Sequence, residues 1–426
     1  MNREPFYLTA ADAVRLGPDH MPKEAVPAAS LIYSSPATLS YNSPGANGFG
    51  VKRAALVMPE SVMLLVSPGC CGRNSTILSR ESGYAERMFY LNMDEADLVM
   101  SRHLRKIPQA VAEIVEVPEK RPKVVFVCLT CVDALLGTDL VPVCREAEKQ
   151  AGVRVIPCYM YALTREGTKP PMALIRDTLY GELTRRPVDP HAVNLMGYFA
   201  PLEDHSELYP MFRAAGLTQI REISRCCTYE EFLEMGGANF NLVLNPEADF
   251  AAQNLLERTG MPYIDLSRSY SIGRIAKQYE LLGAAIGVTF DDRKYREEAE
   301  ERLAAFRRDH PVLTFALGQM LNANPFELAA SLLLCGYGVS EIFAAYTRAD
   351  FPYLREIVQY SPDTRIYFGT SPSMLSYRSG AGADAAVGRD APWYEPDAVP
   401  VGFCSDIQPF GYRGLISFLD EMEAAL

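Results

Sequence analysis

Short β-branched apolar runs alternate with amphipathic helical stretches along most of this chain. That alternation restricts the fold more than any other feature, because it is the pattern of α/β units built around parallel sheets. An apolar run "SVMLLV" opens the first series, and "KVVFVCL" (123–129) and "VRVIPCYM" (153–160) frame a helix-like "VDALLGTDLVPVCREAEKQAG". A second series runs from "AVNLMGYFA" (192–200) through the helix "HSELYPMFRAAG", the strand "QIREIS" and the helix "TYEEFLEMGG". It ends with "ANFNLVLNP", the helix "DFAAQNLLERTG" and the strand "MPYIDL". One long helical stretch, "YSIGRIAKQYELLGAAIG" into "DRKYREEAEERLAAFRRDH", leads to a third series, "PVLTFALG", "PFELAASLLLCGYG", "VSEIFAAY" and "TRIYFGT". The expected architecture is three doubly wound, Rossmann-like α/β domains with parallel sheets, spanning 1–186, 187–300 and 301–426. The boundaries are set at the Pro-containing "RRPVDPHAV" near 186 and the charged helix near 292–310. The Gly- and Ala-rich stretch 376–398 reads as an irregular or mobile loop.

A chain of 426 residues is too long for one core, which agrees with several domains. Its formal charge of -12 and lack of a basic stripe argue against nucleic acid as a partner. The N-terminal "MNREPFYLTAADAVRLG" has no apolar core of signal-peptide length, and no apolar run approaches the roughly 18 residues of a membrane span. A cytoplasmic protein is expected, in which ten cysteines point to metal or redox chemistry rather than a disulfide framework. Cys144, Cys158 and Cys335 read as buried small hydrophobes.

The remaining sulfurs are placed where doubly wound sheets collect ligands, at the carboxyl ends of strands. Cys70 and Cys71 sit in "SPGCCGRNS" (67–75), directly after "SVMLLV", and Cys128 and Cys131 close "KVVFVCL" and open the next helix. Simple packing accounts poorly for two such doublets. A thioredoxin-like motif would use Cys128-x-x-Cys131 at a strand-to-helix turn, but it leaves "PGCCG" unexplained in a chain several times the size of such a domain. Zinc needs four ligands; here one pair is adjacent and His103 is the only His nearby, which makes an irregular site. An iron–sulfur cluster takes thiolates from separated loops or from two subunits, and Gly69 and Gly72 would let backbone N–H groups approach its sulfides. This reading uses the most features.

Several separated segments resemble the nitrogenase component 1 superfamily. The group includes the nitrogenase molybdenum–iron protein subunits and their cofactor-assembly relatives, the dark-operative protochlorophyllide and chlorophyllide reductases, and nickel-sirohydrochlorin reductive cyclase. "VSPGCCG" looks like the family's "HGPxGCxxY" turn, and "VCLTCVDALLGTDL" like its "STCxxxLIGDDI" segment. "NFNLVLNPEADFAAQNLLERTGMPYIDL" is similar to the stretch ending in "LEEKFGIPY", and "SDIQPFGYRGLISFLDEM" to "GPYHGYDGFxxFARDM". The resemblance implies that Cys71 and Cys131 occupy two of three cluster-cysteine positions, and that the C-terminal segment packs back on the first domain. At the third position, "CxPxGA" in the family, this chain reads "YNSPGANGFG", leaving Asn42 and Ser43, both poor iron ligands. The "GANGFG" run lacks dinucleotide-binding spacing. Asn245 stands where the nitrogenase catalytic subunit has a cofactor-holding Cys, and residues 400–426 contain no His, which argues against a dinitrogen-reducing subunit. Cys70 and Cys128 are additional ligand candidates, though adjacent residues on an extended backbone point to opposite sides. Arg73, Asn74 and Asn245 are cleft candidates; for Asn245–Pro246 strand termination and a helix cap is the favoured alternative. Cys226–Cys227 precede a Thr228–Glu231 capping-box spacing and read as structural, and Cys404 lies in the C-terminal segment.

What the resemblance implies is a reductase subunit holding an interfacial iron–sulfur cluster, most simply a 4Fe–4S cluster shared by two chains that each give Cys71 and Cys131. The chain would pair as a homodimer or with a paralogous component 1 subunit. An iron-protein-like ATPase would supply electrons for a small-molecule substrate other than dinitrogen. A non-catalytic assembly scaffold and a zinc- or disulfide-stabilised α/β binding protein are the competing readings. No membrane partner is expected.

Overall fold

The computed structural model describes residues 4–22, 51–69, 84, 86–159, 169–380 and 382–426. These fall into two compact units, one made of Phe49–Phe199 and Leu217–Asp265, the other of Met1–Gly48, Ala200–Gly216 and Leu266–Leu426. Strand β1 (Tyr7–Thr9) belongs to the second unit. The first unit holds β2 (Ser61–Ser67), β3 (Met88–Asn92), β4 (Val124–Leu129) and β5 (Arg154–Tyr159), then β6 (Asp189–Met196), β7 (Gln219–Arg221), β8 (Ala238–Val243) and β9 (Tyr263–Asp265). Among the described residues no helix is long and apolar enough to cross a membrane.

The first unit has two wholly parallel sheets, ordered β3-β2-β4-β5 and β7-β6-β8-β9. Each starts with an inner strand, adds one neighbour on one side, then crosses over to build the other side. The order therefore reverses between β2 and β4, and again between β6 and β8, and such switch points open a crevice at the strands' carboxyl ends. The strands read as continuous apolar runs because both faces are covered. One face of the first sheet buries Met63, Leu65, Phe126 and Cys128 against Ile175 and Leu179 of the helix Pro171–Tyr180, in a core that also takes Met196 and Val243 of the second sheet. The other face sets Leu64, Val66, Val127 and Leu129 against the helices Arg102–Ile114 and Val141–Ala151. The helix-like segment after β4 is two helices, Cys131–Leu136 and Val141–Ala151, parted near Gly137, whose φ of 68° few side chains tolerate.

The second unit contains β10 (Thr314–Leu317), β11 (Gly338–Phe343), β12 (Arg365–Tyr367), β13 (Ala385–Val387) and β14 (Val399–Val401). They form one sheet ordered β1-β12-β11-β10-β13-β14, parallel except for β1 at the edge. The long helical stretch is two helices, Ile272–Ile286 and Arg293–Asp309; the first ends at Gly287, φ 74°. One expectation is corrected. The 376–398 stretch is no simple loop: it supplies β13, a fully buried strand beside β10, and the short helix Ala391–Tyr394. Its alanines hide a central strand from propensity reasoning. They are small because Ala386, Ala391 and Ala398 pack on one another, bringing helix and sheet close together.

Candidate functional site

The switch point of the first sheet carries the sulfur-bearing connections. Val66 and Leu129 are register partners near the ends of adjacent parallel strands, so the chain leaves β2 and β4 side by side. From β2 it runs through Ser67 toward Cys70 and Cys71; from β4 it runs through Thr130 to Cys131, the first residue of its helix. Cys70, Cys71, Gly72, Arg73, Asn74, Asn42 and Ser43 lie outside the described residues, as does the side chain of Cys131. Gly69 is described, and a Cβ there would meet nothing within 4 Å, so closeness to its surroundings does not require a glycine. Cys128 is a core residue: it is fully buried, in register with Cys158 on β5, and its thiol donates weakly to the main-chain oxygen of Leu129 (3.8 Å).

His103, at the start of the helix Arg102–Ile114, is engaged elsewhere than with a thiol. Its Nε2 lies 2.9 Å from Asp133 Oδ1 and its Nδ1 3.1 Å from the main-chain oxygen of Asp97. Both His103 and Asp133 are buried. This removes the one histidine that a zinc site could have used. Among the described residues no group of three or more His, Cys, Asp or Glu is arranged to hold a metal ion. The surroundings do suit a sulfur-liganded group. Among the described residues, Ser67 Oγ and Thr130 Oγ1, buried at the strand ends, have no hydrogen-bond partner, and a hydroxyl can donate to a thiolate sulfur.

Four of the other cysteines are poor nucleophiles or ligands. Burial pushes the thiols of Cys144 and Cys226 up to about 12, and burial also raises Cys335 and Cys404. Such thiols stay protonated and inert. Cys226 donates to the main-chain oxygen of Glu222 (3.3 Å), and exposed Cys227 gives its N–H to Glu231 (2.6 Å) beside a complete Thr228–Glu231 capping box. All the described cysteines are free thiols.

The second sheet's switch point brings together residues that the sequence pattern does not pair. Gly197 follows β6 with φ 121°, and a Cβ on it would lie 2.8 Å from Asn245 Cβ and N. Asn245 lies two residues beyond the end of β8 and accepts from Glu247 N (3.0 Å), a cap on the turn Pro246–Ala248. Arg176 closes the site from the helix Pro171–Tyr180. Its Nε donates to Gly197 O (2.8 Å), its Nη1 to Met172 O (2.9 Å), and Nη1 pairs with Glu247 Oε2 (2.7 Å). Its guanidinium lies 4.3 Å from the centre of the Phe199 ring. Burial pushes this guanidinium below its ordinary value, against the opposing charge of Glu247. No motif in the sequence marks Arg176; its one signal there is a charge in the otherwise apolar stripe Ala173, Arg176, Tyr180. Gly197→Ala is expected to lose about 2–4 kcal/mol from the φ penalty and the overlap with Asn245, read as a fall in Tm.

In the second unit, the switch between β10 and β13 is filled by the protein itself. The buried Asp390 carboxylate accepts from Gln319 N (3.0 Å) and Met320 N (2.9 Å), amides that would otherwise face an incoming anion. Of the three crevices, the one between β2 and β4 has sulfur on both connections and hydroxyls left unpaired.

Comparison with known proteins agrees with this fold. The profile described as nitrogenase component 1 type oxidoreductase matches residues 47–426. The chain is 29% identical over 185 residues to the nitrogenase iron-molybdenum cofactor biosynthesis protein NifE of Rippkaea orientalis (strain PCC 8801 / RF-1), covering 42% of this chain and 38% of that protein. It is 26% identical over 224 residues to NifE of Rhodobacter capsulatus, covering 51% and 46%. It is 25% identical over 218 residues to the nitrogenase molybdenum-iron protein alpha chain of Methanosarcina barkeri, covering 50% and 40%. The matched stretches therefore span less than half the length of these curated relatives. The solved structure of nitrogenase Cp1 at pH 6.5 superposes with a TM-score of 0.72 at 17% identity, over 90% of this chain and 93% of that one, which shows a shared fold. The chain belongs to the nitrogenase component 1 type oxidoreductase family.

Proposed function

We propose that this chain is a nitrogenase-like reductase subunit that holds an iron–sulfur cluster at a subunit interface and relays electrons to a small molecule other than dinitrogen. The observation that carries the reading is the adjacency of β2 and β4 at a switch point, with Cys71 four residues beyond the end of one strand and Cys131 two beyond the other. Cys71 and Cys131 would hold the group, and the same pair from a second chain, identical or paralogous, would complete four thiolates. A bound 4Fe–4S cluster supplies one-electron storage. Cys128, packed into the core, stays a support for β4 rather than a ligand. An iron-protein-like ATPase is the electron donor in this reading. It divides the chain into α/β domains 1–186, 187–300 and 301–426.

A second reading is an assembly scaffold that binds a metal centre and passes it on. The observation favouring it is that relatives from Rippkaea orientalis and Rhodobacter capsulatus are named as cofactor biosynthesis proteins. The two readings separate on turnover: a reductase consumes electrons in the presence of an ATP-dependent partner, and a scaffold transfers its iron to an acceptor.

Anaerobic purification with iron, sulfide and EPR measurements tests the shared premise. The wild type is expected to be brown with about two irons per chain, one four-iron cluster per pair of chains. Cys71→Ala and Cys131→Ala are each expected to fall to background iron. A colourless protein carrying zinc would overturn the cluster reading, and full iron in Cys71→Ala would overturn the ligand assignment.

A further inference from the structure

The amino ends of β2 and β3 open onto a cavity of about 840 Å³, at the edge of the first sheet opposite the sulfur-bearing connections. Its walls are apolar where the strands and the 117–122 loop contribute Val62, Met88, Phe89, Pro118 and Pro122. Arg87, the residue before β3, also lines it. The turn ahead of β2 holds this side chain in place. Its Nε donates to Ser61 O (2.8 Å), and its Nη2 to Leu56 O (2.6 Å), Met58 O (3.1 Å) and Ser61 Oγ (2.8 Å). Every one of these acceptors is neutral. Among the described residues Arg87 has no carboxylate partner, and its Nη1 makes no hydrogen bond. Burial moves the guanidinium below its ordinary value, with the nearby Tyr84 opposing. A half-buried cation that keeps one N–H₂ edge free and lacks an acid is a receptor for an anion.

The other charges around the cavity narrow the class of anion. Lys120 and Arg121 add positive charge to the lining, and Glu60, Glu86 and Glu119 add negative charge. With Arg87 the two signs balance, so a singly charged group is matched by the guanidinium while a dianion meets repulsion from the acids. Two of these groups are already engaged: Glu60 Oε2 accepts from Tyr229 N (2.9 Å), and Arg121 Nη2 donates to Ala151 O (2.7 Å). Lys120 is exposed and has no acid partner among the described residues, which makes it the second cation open to a ligand. The apolar walls favour an ion that carries a hydrocarbon body over a bare one.

We propose that this cavity binds a small monocarboxylate with an apolar body, its carboxylate on Arg87 Nη1 and Lys120 and its body against Val62, Phe89 and Pro118. The site stands apart from the cluster reading, because none of its residues belongs to the sulfur-bearing connections. β2 is seven residues long, so about 20 Å of strand separates the two edges of the sheet. The occupant therefore acts on the folded unit as a whole, stabilising it by binding the native state alone.

The test is calorimetric titration of the full chain with phenylacetate, 3-phenylpropionate and octanoate at millimolar concentration. Phenylacetamide, acetate and phenyl phosphate are the uncharged, bodiless and dianionic controls. At least one of the three monocarboxylates is expected to bind saturably and raise Tm, and each control is expected to bind more weakly than it does. Arg87→Lys is expected to weaken that binding about 10-fold or more, because the free guanidinium edge is lost. Lys120→Ala is expected to weaken it about 3-fold, as befits an exposed charge. No saturable binding of any of the three to folded wild type overturns the proposal. Equal affinity for phenylacetamide or phenyl phosphate overturns the assignment of a monocarboxylate. Arg87→Lys that lowers the ligand-free Tm and leaves affinity unchanged assigns Arg87 to the turn alone and overturns it equally. Lys120 makes no contact that folding depends on, so Lys120→Ala carries the test if Arg87→Lys does not fold, and unchanged affinity in it then overturns the site.

Discussion

Glu207→Ala is expected to lower the melting temperature by roughly 10 °C, a loss of about 3–5 kcal/mol in a unit of this size. Glu207 is wholly buried in the second unit, and its carboxylate is shared among three donors from two helices. Oε1 accepts from Tyr279 Oη (2.6 Å) and Tyr412 N (2.6 Å), and Oε2 accepts from Arg413 N (3.1 Å). Tyr412 and Arg413 lie in the first turn of the C-terminal helix Gly411–Ala425, where main-chain amides have no acceptor within the helix. A side chain 205 residues away thus does the work of a cap. Alanine would leave two amides and a phenol unpaired, which costs far more than the hydrogen bonds gain. Burial pushes the Glu207 acid upward, and the hydrogen bonds from Tyr279, Arg413 and Tyr412 oppose this. Glu207→Gln, which keeps an acceptor, is therefore expected to lose less than half as much. Gly411 has φ 64°, and a Cβ there would overlap Glu207 Oε1 and Tyr279 Oη, so Gly411→Ala is expected to match Glu207→Ala. Scanning calorimetry of the three variants checks this; a Glu207→Ala protein melting within about 2 °C of wild type would refute it.

The elements legible in the sequence are those whose burial writes a pattern. Strands such as β2 and β4, covered on both faces, must be apolar throughout, and "SVMLLV" and "VVFVCL" announce them. The strand β3, "MFYLN", buries only Met88 and then alternates half-buried and exposed positions, which carries too little signal, and β13 is three small residues. The placement of cysteines at strand ends was readable because each follows an apolar run. That β2 and β4 are neighbours at a switch point was not, since strand order is set by tertiary packing. Polar residues of the sites were readable only as breaks in apolar stripes. His103 shares a helical face with Ile107, Val111 and Ile114, all buried. Its partner Asp133 lies 30 residues away on another element, and nothing local links them.

Raising the pH from 4.5 through about 7 is expected to lower the stability of this protein through one buried acid, Glu341. Glu341 on β11 and Glu395 are both buried and share the phenol of Tyr377, which lies 2.6 Å from Glu341 Oε2 and also contacts Glu395 Oε1. A phenol has one proton to donate, so two carboxylates around it are best satisfied when one keeps its own proton. Ser379 Oγ donates to Glu395 Oε2 (2.8 Å), and Arg365 stands 3.8 Å from Glu341 Oε1, too far and too exposed to neutralise the pair. Burial is the main cause that moves Glu341 up to about 7, reinforced by Glu395 and opposed by Tyr377 and Arg365. Between pH 4.5 and 7 the folded chain retains a proton that the unfolded chain has released, so stability is fully present below 4.5 and is lost as pH rises through 7. Glu341→Gln removes the ionisation while keeping a polar partner for Tyr377. Its stability is expected to change less with pH across this window, and to exceed that of wild type at pH 8 but not at pH 4.5. Urea titrations of both proteins at several pH values measure the difference. If both proteins lose stability equally between pH 4.5 and 8, the acid responsible is not Glu341.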